Sequence, residues 1–251
     1  MSALSYLCEY GSNSEESDCE VDSKTSQRPK LPVPNLSKVS VVPLEDHKDN
    51  PQLHGGRTRS FPHIRGNWAT FVFLQYLDVE LLNELLNKLE AKVLSTVGLC
   101  HRCDDLHISL SKTVVLKYHL ISSFSSSLQK ILKNVESFDL GFAAVKVYCN
   151  EEKSRTFISL EVDPFAHKFL LAISKKVDQV LEDFQYSKFY MDPSFHMSII
   201  WVNGNKESEL NTIVESMNEI LYQDIEKSLK TIAVNAINCK IGNKFFRYPL
   251  S

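Results

Sequence analysis

Two segments of the chain, residues 106–111 and 195–201, alternate between apolar and polar positions with the period of two that is typical of a β-strand. In each segment the apolar side chains share one face, and the other face carries a histidine followed two residues later by a serine. The two pairs are His107 with Ser109 and His196 with Ser198. Side chains two residues apart on a strand point the same way, about 6–7 Å apart, so each segment presents an imidazole beside a hydroxyl.

One such pair alone is most often a half-buried strand with a hydrogen-bonded histidine. Here the pattern that follows each pair is also repeated, as a helix and then two strands. The predicted helices span about 118–135 and 206–226, and the predicted strands span about 138–149, 155–162, 229–240 and 244–250. The repeat predicts a bilobal α+β fold, with two pseudo-symmetric antiparallel sheets flanked by helices and the two pairs facing each other across the cleft between the sheets.

Three further elements complete the predicted domain, the first being a strand at residues 66–74. A helix follows with Asp78 as its N-cap and with apolar side chains at helical spacing: Leu81, Leu82, Leu85, Leu86, Leu89, Val93 and Leu94. Another helix begins near Pro164, after Asp163, with a predicted buried stripe of Phe165, Phe169, Leu170, Ile173, Val177 and Val180.

Composition divides the chain into two parts. Residues 1–56 are rich in Ser, Asp, Glu, Asn and Pro without a sustained apolar period, and we expect them to form a disordered acidic tail. Residues 57–251 are then the folded domain. The tail carries nine acidic and five basic residues, so the net charge of −3 leaves the domain at +1. A nearly neutral domain is not a broad basic platform, and we expect any RNA to be held over a short length in a pocket.

The 251 residues are 43% hydrophobic and 24% charged, which is the composition of a globular protein. No run of 18 apolar residues occurs, so we expect no membrane partner, and we expect no secretory signal at the N-terminus. The six scattered cysteines fit reduced thiols in the cytosol or nucleus. Cys100 and Cys103 form a single Cys-x-x-Cys, which we interpret as a loop at 98–105 with two free thiols rather than as a metal or redox site.

Two imidazoles and two hydroxyls facing one cleft suit the cleavage of a phosphodiester beside a ribose 2′-hydroxyl. That reaction needs a base for the attacking hydroxyl and an acid for the leaving 5′-oxygen, and histidine can serve as either near neutral pH. The hydroxyls can donate to the phosphate as charge develops. No carboxylate accompanies either pair, so we expect no metal or other cofactor. Neither serine lies in a Gly-x-Ser-x-Gly elbow, which disfavours a serine nucleophile.

Several motifs between residues 54 and 250 resemble those of a known family. They are His54-Gly55-Gly56-Arg57, Arg59-Ser60-Phe61-Pro62-His63, Gly66-Asn67-Trp68-Ala69-Thr70, Asn150-Glu151-Glu152-Lys153, Arg155-Thr156-Phe157, Phe189-Tyr190, Asp192-Pro193-Ser194-Phe195-His196 and Gly242-Asn243-Lys244-Phe245-Phe246. Together with the paired His-x-Ser strands, this combination resembles the U6 snRNA phosphodiesterase family of the 2H phosphoesterase superfamily.

The resemblance implies a metal-independent 3′→5′ RNA exonuclease that removes mostly uridines from the 3′ end of U6 snRNA and leaves a terminal 2′,3′-cyclic phosphate. It also implies RNA as the partner and a nuclear location, and we expect the protein to act as a monomer. His107 and His196 match the family's catalytic histidines, and Ser109 and Ser198 match its phosphate-contacting hydroxyls. The sequence leaves open which histidine is the base, and we assign that role to His107 for the first cut, with His196 as the acid.

Three further residues are assigned to substrate binding through the same resemblance. Tyr190 matches an aromatic residue that stacks on a base, and Ser194 belongs to the matching nucleotide-binding segment. Glu151 falls near the uridine base, at a position where relatives can carry Gln. An ionised carboxylate accepts hydrogen bonds but cannot donate them, so the resemblance supports a direct base contact less strongly for Glu151 than for the other residues.

Two other functions remain open at this point. The same chemistry would serve a 2′,3′-cyclic phosphodiesterase that acts on preformed cyclic RNA ends. A non-catalytic RNA-binding subunit of a small ribonucleoprotein is the alternative of a different class, and the presence of both His-x-Ser pairs argues against it.

Overall fold

The computed structural model describes residues 64–225 and 231–251, and these ranges form eleven strands and five α-helices. The strands are β1 (Asn67–Gln75), β2 (His101–Arg102), β3 (His107–Ser109), β4 (Val114–Lys117), β5 (Phe138–Leu140), β6 (Phe142–Cys149), β7 (Arg155–Val162), β8 (His196–Asn203), β9 (Ile232–Val234), β10 (Ala236–Ile241) and β11 (Lys244–Pro249). The helices are α1 (Val79–Val97), α2 (Ile121–Leu132), α3 (Pro164–Asp183), α4 (Glu207–Asn211) and α5 (Val214–Ile225). The predicted tail at 1–56 lies outside the described residues.

The predicted α+β architecture is confirmed, and the two predicted sheets are the halves of one antiparallel sheet. Its strand order is β11-β10-β1-β3-β8-β7-β6, with β4 also paired to β1 and β2 also paired to β8. The halves meet where β3 pairs with β8, through the register partners Ile108 and Met197. These are the middle residues of the two His-x-Ser pairs, so the junction of the halves lies at the candidate site.

The two halves exchange their outer strands. Hairpin β6–β7 follows the first His-x-Ser strand along the chain but pairs with the second, β8. Hairpin β10–β11 follows the second His-x-Ser strand but pairs with β1, the neighbour of the first. The short strands that precede the hairpins, β5 and β9, pair with each other. An approximate two-fold axis through the Ile108–Met197 pair therefore relates β3 to β8, β1 to β7 and β10 to β6.

The carboxylate of Asp163 fixes two parts of this fold. One oxygen accepts hydrogen bonds from the backbone N–H groups of Phe165 and Ala166, which caps α3 as the sequence predicts. The other accepts from the Gly141 N–H at 2.7 Å, and the Asp163 N–H donates to the Gly141 carbonyl. These bonds hold Gly141 between β5 and β6, which belong to two different sheets. The prediction of a single strand at 138–149 is therefore wrong.

Other predicted elements differ in detail. Asp78 is the N-cap residue of α1, as predicted, but its side chain makes no capping hydrogen bond. The prediction that Phe165 is buried is wrong, since its side chain is 61% exposed. Phe165 lies in the first turn of α3, and the buried residues of this helix begin at Ala166. The predicted loop at 98–105 contains β2, which gains its pairing from β8 and not from any neighbour in sequence. The helix predicted at 206–226 is divided into α4 and α5.

One apolar core lies between the sheet and the helices. Residues with almost no exposure come from both, including Leu82, Leu89, Phe124, Leu170 and Ile158. Helix α2 packs against α3 and β11, and α5 packs against α1 and β6. Within the described ranges, no helix is long and apolar enough to cross a membrane.

Candidate active site

The four residues of the His-x-Ser pairs come together at the junction of β3 and β8. In an antiparallel pair, the register Ile108–Met197 sets His107 level with Ser198 and Ser109 level with His196. The apolar middle residues are buried in the core, while the four polar side chains are half-buried on the opposite face. Imidazoles and hydroxyls from the two halves of the sheet thus face one shared space.

Both histidines are fixed in the same way. Nδ1 of His107 lies 2.7 Å from the carbonyl oxygen of Asp105, and Nδ1 of His196 lies 2.6 Å from that of Ser194. A carbonyl oxygen can only accept, so each Nδ1 is the donor and carries a proton. In the neutral imidazole Nε2 then holds the lone pair, and it can accept a proton or, once protonated, return it.

His196 is further enclosed by Tyr148. The two rings are stacked with centroids 3.9 Å apart and planes at 14°, and the Tyr148 hydroxyl lies 2.6 Å from the Ser194 hydroxyl. Burial lowers the pKa of His196 below its ordinary value, against the opposing effect of the Ser194 carbonyl, and the charge of His107 lowers it further. Glu161, which is paired with a lysine of β6, raises it in part. The net lowered pKa favours a neutral His196.

His107 lies against two phenylalanines of β1. The rings of Phe71 and Phe73 have centroids 5.6 and 5.5 Å from that of the imidazole. Phe73 is also the register partner of Ser109, so an apolar ring stands beside the first serine. The His107 ring therefore makes a tilted contact with Phe71 and an edge contact with Phe73, whereas the His196 ring is stacked on Tyr148.

The two serines also differ in their support. The Ser198 hydroxyl lies 3.0 Å from the hydroxyl of Ser159, its fully buried register partner on β7. Ser109 has Phe73 at the equivalent position, and its hydroxyl has no hydrogen-bond partner among residues 64–225 and 231–251. Ser198 is consequently held by a neighbouring hydroxyl, and Ser109 is not held in this way by the described residues.

Tyr190 forms a small cluster with two charged residues at one end of the site. Its hydroxyl donates to Glu151 at 3.1 Å, and the ammonium of Lys112 lies 4.2 Å from the centre of its ring and 3.7 Å from the same carboxylate. Burial raises the pKa of Tyr190, as does the nearby Glu151. Tyr190 is 48% exposed, so a ring is available for stacking beside a fixed cation.

The Cys-x-x-Cys segment lies in and beside β2. Cys100 is buried, Cys103 is half-buried, and neither forms a disulfide bond. Burial raises the pKa of Cys100, which disfavours the reactive thiolate. In the part of the chain that the structure describes, no three His, Cys, Asp or Glu side chains are grouped as metal ligands.

Three side chains at the site were not singled out from the sequence: Tyr148, Ser159 and Lys112. Tyr148 and Ser159 lie on the faces of β6 and β7 opposite the apolar core, so alternation alone marks them only as members of a polar face and does not show that Ser159 is fully buried. Their contact with the strand of His196 and Ser198 depends on the pairing of β6 with β7 and of β7 with β8. Lys112 follows the first His-x-Ser strand by three residues, and its charge next to that strand is the signal that could have identified it.

Comparisons with known proteins agree with this arrangement. Residues 29–249 match the model of the HVSL family, described as an uncharacterised conserved protein. The chain is 39% identical over 226 residues to the U6 snRNA phosphodiesterase 1 of Mus musculus, covering 88% of this chain and 84% of the mouse protein. It is 37% identical over 259 residues to the Drosophila melanogaster protein of the same name, covering 97% of this chain and 99% of that protein.

A solved structure, that of Kluyveromyces marxianus Usb1 with uridine monophosphate, shares the fold. It matches with a TM-score of 0.54 at 16% identity, over 72% of this chain and 98% of that one. The resemblance read from the sequence is confirmed by the two relatives, which are aligned over most of their lengths. The chain belongs to the HVSL family and, within it, to the U6 snRNA phosphodiesterases.

Proposed function

We propose that this protein is a 3′→5′ RNA exonuclease that trims oligouridine from the 3′ end of U6 snRNA by transesterification and leaves a 2′,3′-cyclic phosphate. The observation that carries the proposal is the meeting of two histidines across the β3–β8 pair, each with Nδ1 donating to a backbone carbonyl. Two imidazoles with Nε2 available on either side of one phosphate provide both proton transfers of this reaction. The similarity to proteins named U6 snRNA phosphodiesterase 1 supports the 3′ end of U6 snRNA as the substrate.

The reaction needs no group beyond those of the site. The 2′-oxygen of the penultimate ribose forms a bond to the phosphorus, and the bond from phosphorus to the 5′-oxygen of the terminal nucleoside breaks. One histidine takes the proton of the 2′-hydroxyl, and the other gives a proton to the leaving oxygen. Ser109 and Ser198 donate hydrogen bonds to the phosphate oxygens as their negative charge increases.

The lowered pKa of His196 supports an order of roles opposite to our sequence-based assignment. A histidine that is neutral at physiological pH suits the base, and its partner then supplies the acid. We therefore assign His196 as the base of the first cut and His107 as the acid. If the cyclic phosphate is opened in a second step, the two exchange roles.

The base of the departing nucleotide is held by the Tyr190 cluster. Stacking on the exposed ring fits any base, and Glu151 can accept a hydrogen bond from a donor on the base edge. Ser194 acts through the catalytic residue, because its carbonyl accepts from His196 and its hydroxyl contacts Tyr148. The proposal also includes a folded domain at 57–251, a nuclear location and a monomeric enzyme with RNA as its partner.

The test is the shortening of an RNA that ends in oligouridine, followed in the presence of EDTA. We expect shortening by the wild-type protein and its loss in His107→Ala and His196→Ala, whereas His119→Ala, which changes an exposed histidine outside the site, retains it. A 2′-deoxy penultimate nucleotide blocks the first cut, and a 2′-deoxy terminal nucleotide does not. Shortening that survives either catalytic substitution contradicts the two-histidine mechanism.

The same assay separates the alternatives. Turnover only of RNA supplied with a preformed cyclic phosphate would support the cyclic phosphodiesterase. Tight binding of both RNAs without turnover would support the non-catalytic subunit. Mass spectrometry of the product 3′ end distinguishes a cyclic phosphate from an opened one.

A further inference from the structure

The two-fold relation of the fold extends beyond the His-x-Ser pairs. Tyr190 precedes His196 by six residues, and His101 precedes His107 by the same number. Each of these rings lies in the segment that leads toward its catalytic strand. Because the axis relates β3 to β8, this equal spacing makes His101 the counterpart of Tyr190, although His101 lies in β2, paired with β8, and Tyr190 lies in no strand.

The residues that cover these two rings are also equivalent. Lys112 follows His107 by five residues, and Trp201 follows His196 by five. The Lys112 ammonium lies 4.2 Å from the centre of the Tyr190 ring. The indole of Trp201 is stacked on His101, with centroids 4.4 Å apart and planes at 26°. Each end of the site therefore holds an aromatic ring that precedes one His-x-Ser pair in sequence and a partner that follows the other pair.

A cation completes the second end. The guanidinium of Arg155 lies 5.7 Å from the centre of the Trp201 ring and 5.7 Å from that of Phe157, the register partner of Trp201 on β7. His101, Trp201, Phe157 and Arg155 are all half-buried, so each keeps part of its surface accessible. Regular alternation would set Trp201 on the apolar face, as the sequence predicts, but β8 has a β-bulge at Ile199, between the register pairs Ser159–Ser198 and Ile158–Ile200. The bulge places Trp201 and its register partner Phe157 on the face that carries His196 and Ser198. Flat rings with a guanidinium beside them form the surface on which a nucleobase stacks.

We propose that His101, Trp201 and Arg155 form a second nucleobase subsite, for the base of the penultimate ribonucleotide. This rests on the proposed function, in which the scissile phosphate lies near the axis between His107 and His196. The nucleosides on the two sides of that phosphate then extend into equivalent ends of the site. The terminal base stacks at Tyr190, and the base of the nucleotide that supplies the attacking 2′-hydroxyl stacks at His101 and Trp201.

The subsite has a catalytic consequence. The attacking hydroxyl belongs to the penultimate ribose, so holding its base restricts the rotation of that sugar relative to the phosphate. Stacking of this base therefore affects both the binding of the RNA and the position of the attacking 2′-oxygen relative to the phosphorus. A purely structural stack between β2 and β8 would instead affect every substrate equally, and this difference is what the experiment measures.

The experiment compares two RNAs, one ending in two uridines and the other with an abasic ribonucleotide at the penultimate position, which keeps the 2′-hydroxyl. For the wild-type protein we expect kcat/KM to fall about ten-fold on the abasic RNA, the size of effect that base stacking on an aromatic ring produces. His101→Leu should lose a similar factor on the normal RNA and almost nothing more on the abasic RNA. The matched control Tyr190→Leu should lose the same factor on both RNAs, because its base is unchanged.

Two results would overturn the subsite. One is equal cleavage of the two RNAs by the wild-type protein, which needs no variant and so does not depend on folding of a mutant. The other is an equal loss for His101→Leu on both RNAs, which indicates a structural role for β2. Failure of the wild-type protein to cleave either RNA refutes the proposed function instead, and so is a different outcome.

Discussion

Ser159→Ala tests whether the Ser198 hydroxyl must be held in place for catalysis. Ser159 is fully buried and touches no substrate in the proposed mechanism, but its hydroxyl lies 3.0 Å from that of Ser198. The substitution removes one oxygen and leaves the backbone register of β7 and β8 unchanged. Any loss of activity therefore reports on the orientation of Ser198.

The size of the effect follows from one hydrogen bond. A neutral hydrogen bond contributes about 0.5–1.5 kcal/mol net, and about 1.4 kcal/mol corresponds to a factor of ten, so kcat/KM should fall about 2- to 12-fold. Ser198→Ala removes the donor itself and should cost more. Once Ser198 is alanine, adding Ser159→Ala should change kcat/KM very little, because the interaction through which Ser159 acts is already absent.

The assay is the kcat/KM for shortening of the oligouridine RNA by the four proteins of this cycle. Ser174→Ala is the matched control, since it removes a buried serine hydroxyl of α3 that bonds to the Leu171 carbonyl, away from the site. Unfolding in urea shows whether all variants remain folded. Additive losses in the double variant would refute the reasoning, as they would show that Ser159 acts independently of Ser198.

Three further substitutions test the pH dependence and the fold. Tyr148→Leu exposes His196 and raises its lowered pKa, so the acidic limb of the kcat/KM–pH profile should move to higher pH, and an unmoved limb would contradict the role of burial. Gly242→Ala should destabilise the protein by about 1–3 kcal/mol in urea unfolding, because φ is +58° and the new Cβ would lie 2.3 Å from the Trp68 ring; unchanged stability would show that the ring moves aside. Asp163→Ala should cost about 1–2 kcal/mol by the same measurement, and a smaller loss would mean that water replaces the cap.

Much of the site could be read from local sequence. The pairs His107 with Ser109 and His196 with Ser198 were identified because strand alternation is a local property, and each pair needs only its own segment to reveal a face. The start of α3 was readable for the same reason, because Asp163 caps it through its nearest neighbours. These features follow from interactions within a few residues.

The rest depends on pairings between distant segments. Nothing near Ser159 or Tyr148 indicates contact with the strand of His196, since that contact requires β6 and β7 to pair beside β8. The two residues of β2 form a strand only because Ile200 and Trp201 lie opposite them. The break at Gly141 likewise depends on a carboxylate 22 positions later. Register and long-range hydrogen bonds are set by the assembled fold, and a pattern of apolar positions does not encode them directly.

The exchange of hairpins determines when this protein can fold during synthesis. The strand of His107 lies beside β1, and β1 has its other edge covered by β10, which is made near the end of translation. Until β10 is made, one edge of β1 has no partner, even though β1 leaves the ribosome early. Contacts between segments this distant in sequence also form slowly. A chain that ends before residue 236 would still encode both histidines and both serines. It would nevertheless lack two strands of the sheet that holds the first pair, so a late stop codon should abolish activity as completely as the loss of a catalytic residue.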